Sequence, residues 1–374
     1  MDNGQPHSIL STKRGSLECL CRPGRIRLIQ PISPIRLINK KICRPGRIQP
    51  IRLISPIRPI KNKTTMNNEE LKQAIRQLCR EKQAVVMAHY YTRPEIQDVA
   101  DFIGDSLALA RRAAETDARI IVMCGVHFMA ETCKLLCPDR LVLCPDPEAG
   151  CSLADSCTAD DLRRFKAEHP GHTVISYVNT TAAVKALTDI VVTSGNAERI
   201  VRQLPQDEPI IFGPDRNLGA YINAATGRHM LLWQGGCHVH ARFTPEAITR
   251  LKALHPEATV MAHLECSPSV LALAAVKGST AAMLAYAKEH PGETYIVATE
   301  AGILHEMQRQ CPGTAFLPVP PEGADTPCNE CEYMRLNTLE KLYRCLRDEA
   351  PAIEVPEDIA REAVKPIRRM LEMS

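Results

Sequence analysis

The sequence predicts an α/β protein made of three similar αβα sandwich domains with short parallel sheets, arranged with pseudo-threefold symmetry about a central active site. Three observations carry that prediction. The stretch VMAHYYTRPEIQDVADFIGDS, Val86 to Ser106, returns as VMAHLECSPSVLALAAVKGST, Val260 to Thr280. Between them VISYVNTTAAVKALTDIVVTS puts Tyr177 where the other copies have His89 and His263. Short Val- and Ile-rich runs then alternate with helical patterns through each copy, as in parallel sheets covered on both faces.

The register extends along each copy. His89, Tyr177 and His263 are offset by 88 and 86 residues, as are Tyr91, Asn179 and Glu265, and also Ser106, Ser194 and Thr280. A second apolar run ends at Gly125, Gly213 and Thr299, and a third centres on Leu143, Leu232 and Leu317. Each copy thus reads strand, helix, strand, helix, strand. A unit of about 86 residues buries too little surface to be stable alone, so the three are expected to share a core.

In chain order, residues 1–65 form a basic extension with 14 Lys or Arg against Asp2 and Glu18, repeating CRPGRI at Cys21 and Cys43. Its frequent prolines forbid a regular helix or central strand, and we read it as disordered low-complexity sequence ahead of a start at Met66. Its Arg-rich, acid-poor composition leaves open a targeting peptide or charge-driven binding to nucleic acid or membrane. Residues 66–170 are the first αβα unit, opened by an acidic-capped helix. Residues 171–256 are the second and 257–335 the third, followed by a C-terminal helical segment, 336–374. TADDLRRFKAEHP from Thr158 and TPEAITRLKALHP from Thr244 match in length, in the capping Thr and in the closing His-Pro.

With 45% hydrophobic and 24% charged residues the chain has the composition of an ordinary globular protein. No apolar run reaches eighteen residues, which excludes a transmembrane helix. Sixteen cysteines in a long chain without a signal peptide point to the reducing cytoplasm, where they serve as buried thiols or metal ligands.

One cysteine per copy keeps a comparable place after the third strand: Cys151, Cys237 and Cys331. Soft thiolates select zinc or iron–sulfur clusters. Structural zinc closes with four ligands, and a cluster used only to carry electrons has four cysteines, so three leave a position open for chemistry. Cys124, Cys133, Cys137, Cys144, Cys157, Cys266, Cys311 and Cys345 read as structural thiols. At the strand ends, His89, Tyr177 and His263 are candidates for one cleft, because parallel sheets bind ligands there. GDS, TSG and GST stand before helical runs, where Ser or Thr is first an N-cap, and a helix N-terminus with a hydroxyl also holds anions.

MAHYYTRPEIQDVADFIGDSLALAR, AGCSLADSC, SYVNTTAAVKA, VVTSGNA, FGPDRNLGAY, WQGGCHVH, AHLECSP and CNECEYMRLNTLEKL together resemble the quinolinate synthase family, from about Met66 to the C-terminus. The resemblance implies a transferase of NAD biosynthesis that condenses iminoaspartate with dihydroxyacetone phosphate, losing phosphate and two waters. It implies an oxygen-sensitive [4Fe–4S] cluster on one cysteine from each unit, by motif Cys151, Cys237 and the second cysteine of CNEC, Cys331, leaving Cys328 out. It further implies substrate contacts from His89, Ser106, Met129, Tyr177, Asn179, Ser194, His263, Glu265, Ser279 and Thr280. Tyr91, Tyr177, His89, His263 and Glu265 become the candidate acids and bases. An iminoaspartate-producing L-aspartate oxidase or dehydrogenase would be the functional partner, with no nucleic acid and no membrane. Another three-cysteine cluster enzyme of threefold architecture, and a non-catalytic zinc or redox protein, are the competing readings.

Overall fold

Among the described residues, twelve short strands form three separate four-stranded sheets, all parallel. The first contains β1 (Ala84–His89), β2 (Phe102–Gly104), β3 (Ile120–Cys124) and β4 (Leu141–Leu143). The second contains β5 (Thr173–Tyr177), β6 (Ile190–Val192), β7 (Ile210–Gly213) and β8 (Leu231–Leu232), and the third β9 (Thr259–His263), β10 (Val276–Gly278), β11 (Thr294–Ala298) and β12 (Ala315–Pro318). This computed structural model describes residues 66–322 and 329–374, so the expectations for residues 1–65 and for Cys328 lie outside the described residues.

Each sheet has the same strand order, second-first-third-fourth. The expected three strands per copy are therefore corrected to four. The extra one, β2, β6 or β10, is three residues long, too short to show a period of two in the sequence. The repeat is visible in single hydrogen bonds. Asp101 N–H donates to Val86 O at 2.9 Å, Asp189 to Val174 at 2.9 Å and Ala275 to Val260 at 3.0 Å, at the 88- and 86-residue offsets.

The strand order places a topological switch point between the first and third strands of each sheet. The chain leaves β1 toward β2 on one side and β3 toward β4 on the other, opening a crevice at the strand ends. The first-strand residues that point into the sandwich are wholly buried, including Val86, Met87, Met261 and Ile175.

Helix starts follow the sequence signals. Asn67 caps helix Asn68–Lys82 through a capping box with Glu70. Thr158 and Thr244 accept from the backbone N–H groups of Asp161 and Ala247 at the starts of helices Ala159–Glu168 and Pro245–Leu254. The C-terminal helices cover the sheets. Leu342, Cys345 and Leu346 of helix Leu339–Asp348 pack with Leu71 and Ile75 over the first sheet, and Ala363, Ile367 and Met370 of helix Glu357–Glu372 pack with Ile190 and Val192. Among the described residues no helix is long and apolar enough to cross a membrane.

Candidate active site

A cavity opens at the strand ends, where parallel sheets bind ligands. Its wall contains His89, Tyr91 and Ser106 from the first copy, Tyr177, Asn179 and Ser194 from the second, and His263, Glu265 and Thr280 from the third. Met129, Cys151, Cys237 and Cys331 line it too. Of the residues expected at the site, Ser279 alone is not in the wall. Its hydroxyl accepts from Ala282 N–H and caps helix Thr280–Glu289.

That cap explains how the hydroxyls are arranged, and it corrects the expectation that Ser106, Ser194 and Thr280 are themselves N-caps. Asp105 and Ser279, one residue earlier, take the caps of helices Ser106–Glu115 and Thr280–Glu289, while Ser194 sits in the turn before Asn196. The three hydroxyl residues of the repeat line the cavity.

The two strand-end histidines are set alike. Nδ1 of His89 accepts from Tyr91 N–H at 3.2 Å, and Nδ1 of His263 from Glu265 N–H at 3.3 Å. A ring nitrogen that accepts a backbone N–H carries no proton, so both rings are neutral and keep Nε2–H as a donor. Burial agrees, pushing His89 down to about 3 and His263 down to about 4.

A buried chain of polar contacts crosses all three copies. The Tyr91 hydroxyl lies 3.2 Å from Thr280 Oγ1 and 2.9 Å from Thr299 Oγ1, which lies 3.1 Å from His240 Nε2. His240 Nδ1 is 3.1 Å from Glu265 Oε2, and Tyr177 donates its hydroxyl proton to Glu265 Oε1 at 2.5 Å. Burial works to raise the Glu265 carboxyl, but His240, His263 and the Tyr177 hydroxyl outweigh it and hold the group below the usual carboxylate range. Burial, then the Glu265 charge, drives both phenols well above their ordinary value. The arrangement is an ionised carboxylate held among protonated phenols and imidazoles, suited to moving protons on and off a bound molecule.

Asn179 Oδ1 is buried in this wall with no hydrogen-bond partner among the described residues. A buried amide oxygen left unpaired is costly unless a ligand pairs with it.

The cysteines divide by exposure. All eight assigned as structural thiols are buried, while Cys151, Cys237 and Cys331 are half-buried at the cavity, and no disulfide joins any cysteine among the described residues. Burial pushes the thiols of Cys151 and Cys331 up to about 12 and about 11, and Cys237 well above its ordinary value. Three soft donors, free and able to ionise against a bound cation, fit an iron–sulfur cluster. The loop before Cys237 is pressed close to its neighbours. A Cβ at Gly235 would lie 2.4 Å from Ser156 Oγ and 2.6 Å from the Pro214 carbonyl oxygen, so only glycine fits there.

Sequence reasoning missed His240, Asp215 and Glu300. Asp215 accepts from the N–H of Cys237 at 3.3 Å and of Leu218 at 2.8 Å. Glu300 accepts from Cys331 N–H at 3.0 Å, tying the third thiol loop to the end of β11, and burial pushes it up to about 8 against the pull of Arg335. All three lie outside the offsets searched. The motif WQGGCHVH, with His240 three residues after Cys237, held the one usable signal.

A ligand cleft at the switch points of parallel sheets, with acid–base side chains and three thiols in one wall, defines an α/β enzyme site for a small molecule. The sequence matches the family described as quinolinate synthetase A protein over residues 73–372. It is 58% identical over 305 residues to the quinolinate synthase of Thermosynechococcus vestitus, covering 82% of this chain and 96% of that one. It is 55% identical over 306 residues to that of Microcystis aeruginosa, covering 82% and 96%, and 54% identical over 306 residues to that of Prochlorococcus marinus, covering 82% and 91%. The chain belongs to the quinolinate synthase family, enzymes of NAD biosynthesis.

Proposed function

We propose that the protein condenses iminoaspartate with dihydroxyacetone phosphate to form quinolinate, phosphate and two waters, using a [4Fe–4S] cluster held by Cys151, Cys237 and Cys331. One observation carries the reading: the three half-buried thiols share a single cavity wall with Glu265, Tyr177, Tyr91 and both strand-end histidines. When bound, a cluster with three protein ligands supplies a Lewis-acidic iron for a substrate oxygen or nitrogen.

The chain's own residues do the rest. Nε2–H of His89 and of His263 donates to substrate carboxylate or carbonyl oxygens. Asn179 and the hydroxyls of Ser106, Ser194 and Thr280 hold carboxylates or phosphate beside helix starts. Glu265 takes protons from carbon, and Tyr177, hydrogen-bonded to it, returns one to a departing hydroxyl. The burial of this network excludes bulk water and strengthens each contact. Iminoaspartate would come from an L-aspartate oxidase or dehydrogenase in the same reducing cytoplasm.

Anaerobic protein is expected to contain iron and sulfide with broad visible absorbance, and to make quinolinate from the two substrates. Zinc without that absorbance would remove the cluster, and a loaded cluster without quinolinate would remove the reaction. Cys237→Ala should abolish iron binding, whereas Cys345→Ala, in the apolar cluster under helix Leu339–Asp348, should keep it.

A further inference from the structure

The residue between the thiol loop and the carboxylate is His240, and it touches both. Nδ1 is 3.2 Å from Cys237 Sγ and 3.1 Å from Glu265 Oε2, and the three donor atoms all lie within 4.8 Å of one another. A four-coordinate zinc with ordinary bond lengths holds its ligand atoms roughly 3.3–3.6 Å apart, so the trio needs only small shifts. We propose that, when the cluster is missing, Cys237, His240 and Glu265 bind a single Zn2+ ion. The proposal rests on the cluster reading above in one respect. Cys237 is common to both sites, so zinc and cluster exclude one another.

The surroundings complete the site as those of a metal centre. Ligating histidines donate their second N–H to an oxygen, and with metal at Nδ1 the proton that Nδ1 shares with Glu265 would move to Nε2, 3.1 Å from Thr299 Oγ1. Tyr177 donates to Glu265 Oε1 and leaves Oε2 free to ligate. The Cys237 backbone N–H is held by Asp215 Oδ2 at 3.3 Å. Charge also balances: a thiolate, a carboxylate and a neutral imidazole carry two negative charges against Zn2+. A neutral centre is what a buried pocket tolerates best. Thiolate and imidazole select zinc over magnesium and calcium, which take oxygen ligands. Binding releases the Cys237 thiol proton to solvent, and the cavity offers the fourth position.

The test titrates Co2+ alone, as a coloured stand-in for zinc, into full-length protein whose iron has been removed by anaerobic chelation, with circular dichroism confirming the fold. One equivalent should give a thiolate-to-cobalt charge-transfer band and tetrahedral d–d bands that Zn2+ abolishes. His240→Asn and Glu265→Gln should weaken cobalt binding more than 100-fold, on the order of a lost ligand, and Thr299→Val about 10- to 100-fold. Cys151→Ala and Cys331→Ala should bind cobalt as the parent does. One equivalent of zinc should block later iron and sulfide uptake by the parent. Cobalt binding that needs Cys151 and Cys331 but tolerates His240→Asn, or octahedral spectra without a thiolate band, would overturn the zinc site and leave the cluster reading intact. Zinc binding by the trio in a protein that never takes up iron would do the reverse.

Discussion

The turns after β1 and β5 are held from below by one buried side chain each, and the equivalent turn after β9 is not. At the end of helix Pro94–Gln97, Gln97 Nε2 donates to Tyr90 O and Thr92 O, both at 2.9 Å, the carbonyls flanking Tyr91. At the end of helix Ala182–Lys185, Lys185 Nζ donates to Val178 O at 2.9 Å and to Thr180 O, which flank Asn179 in the same way. The third copy ends its helix Pro268–Leu271 with Leu271, packed among Val270, Ala274 and Val319. There the carbonyl of Glu265 itself is gripped at 2.9 Å by Asn217, from the helix Arg216–Thr226 of the preceding copy. Buried turn carbonyls need donors, and the first two copies supply them from one structural position while the third takes its donor from the preceding copy. The difference concerns charge. Glu265 is the carboxylate of the site, and an ammonium below its turn would compete with His240 and Tyr177 for it.

Removing the carboxylate breaks the third turn's purpose outright. Glu265→Gln should lower kcat about 10²- to 10⁴-fold with iron content unchanged, since the amide cannot take a proton. A variant with kcat within threefold of the parent would mean that proton transfer runs through other groups.

Lys185 tests the second turn. Lys185→Met leaves Val178 O and Thr180 O without their donor, and the shift of Asn179 and Tyr177 should cost about 10²-fold in kcat. Lys185→Gln copies the first turn and should recover most of that loss. If glutamine fails as badly as methionine, the ammonium charge rather than the carbonyl clamp matters at this position. Gln97→Leu copies the third turn onto the first. It orphans three acceptors, Gly302 O among them, and should lower stability by about 3 kcal/mol in chemical denaturation.

These clamps show how far the sequence could be read. Gln97, Lys185 and Leu271 obey the 88- and 86-residue offsets, yet they are chemically unlike, so a search for matching residue types passes over them. The alternation of strand and helix was legible because Val and Ile runs recur, and the thiol trio because one cysteine follows the third strand of each copy, although the spacings of 86 and 94 residues differ. The extra strand of each sheet, β2, β6 or β10, was not, because three residues are held by pairing with a neighbour rather than by their own pattern. His240, Asp215 and Glu300 escaped for a related reason. His240 joins the second copy to Thr299 and Glu265 of the third, while Asp215 and Glu300 brace the thiol loops of their own copies, and neither kind of contact recurs at a fixed offset.

The smallest effect separates an ammonium clamp from an amide clamp by pH. Burial lowers Lys185 to about 8 from an ordinary value of 10.5, with Glu131 and Cys151 pulling the other way. Below pH 8 the group is charged in both folded and unfolded chains, and the folded state bears the full cost of burying that charge. Between about 8 and 10.5 the unfolded chain binds the proton that the folded chain has released, so the stability of the parent should rise with pH through that window. The slope is about 1 kcal/mol per pH unit at most. Lys185→Gln has no such proton, so the difference in stability between parent and variant, measured by urea unfolding at pH 7.5 to 10, should move in the parent's favour. A difference that stays flat would mean that Lys185 keeps its solution pKa, with the Val178 and Thr180 carbonyls and the face of Phe128 compensating its burial in full.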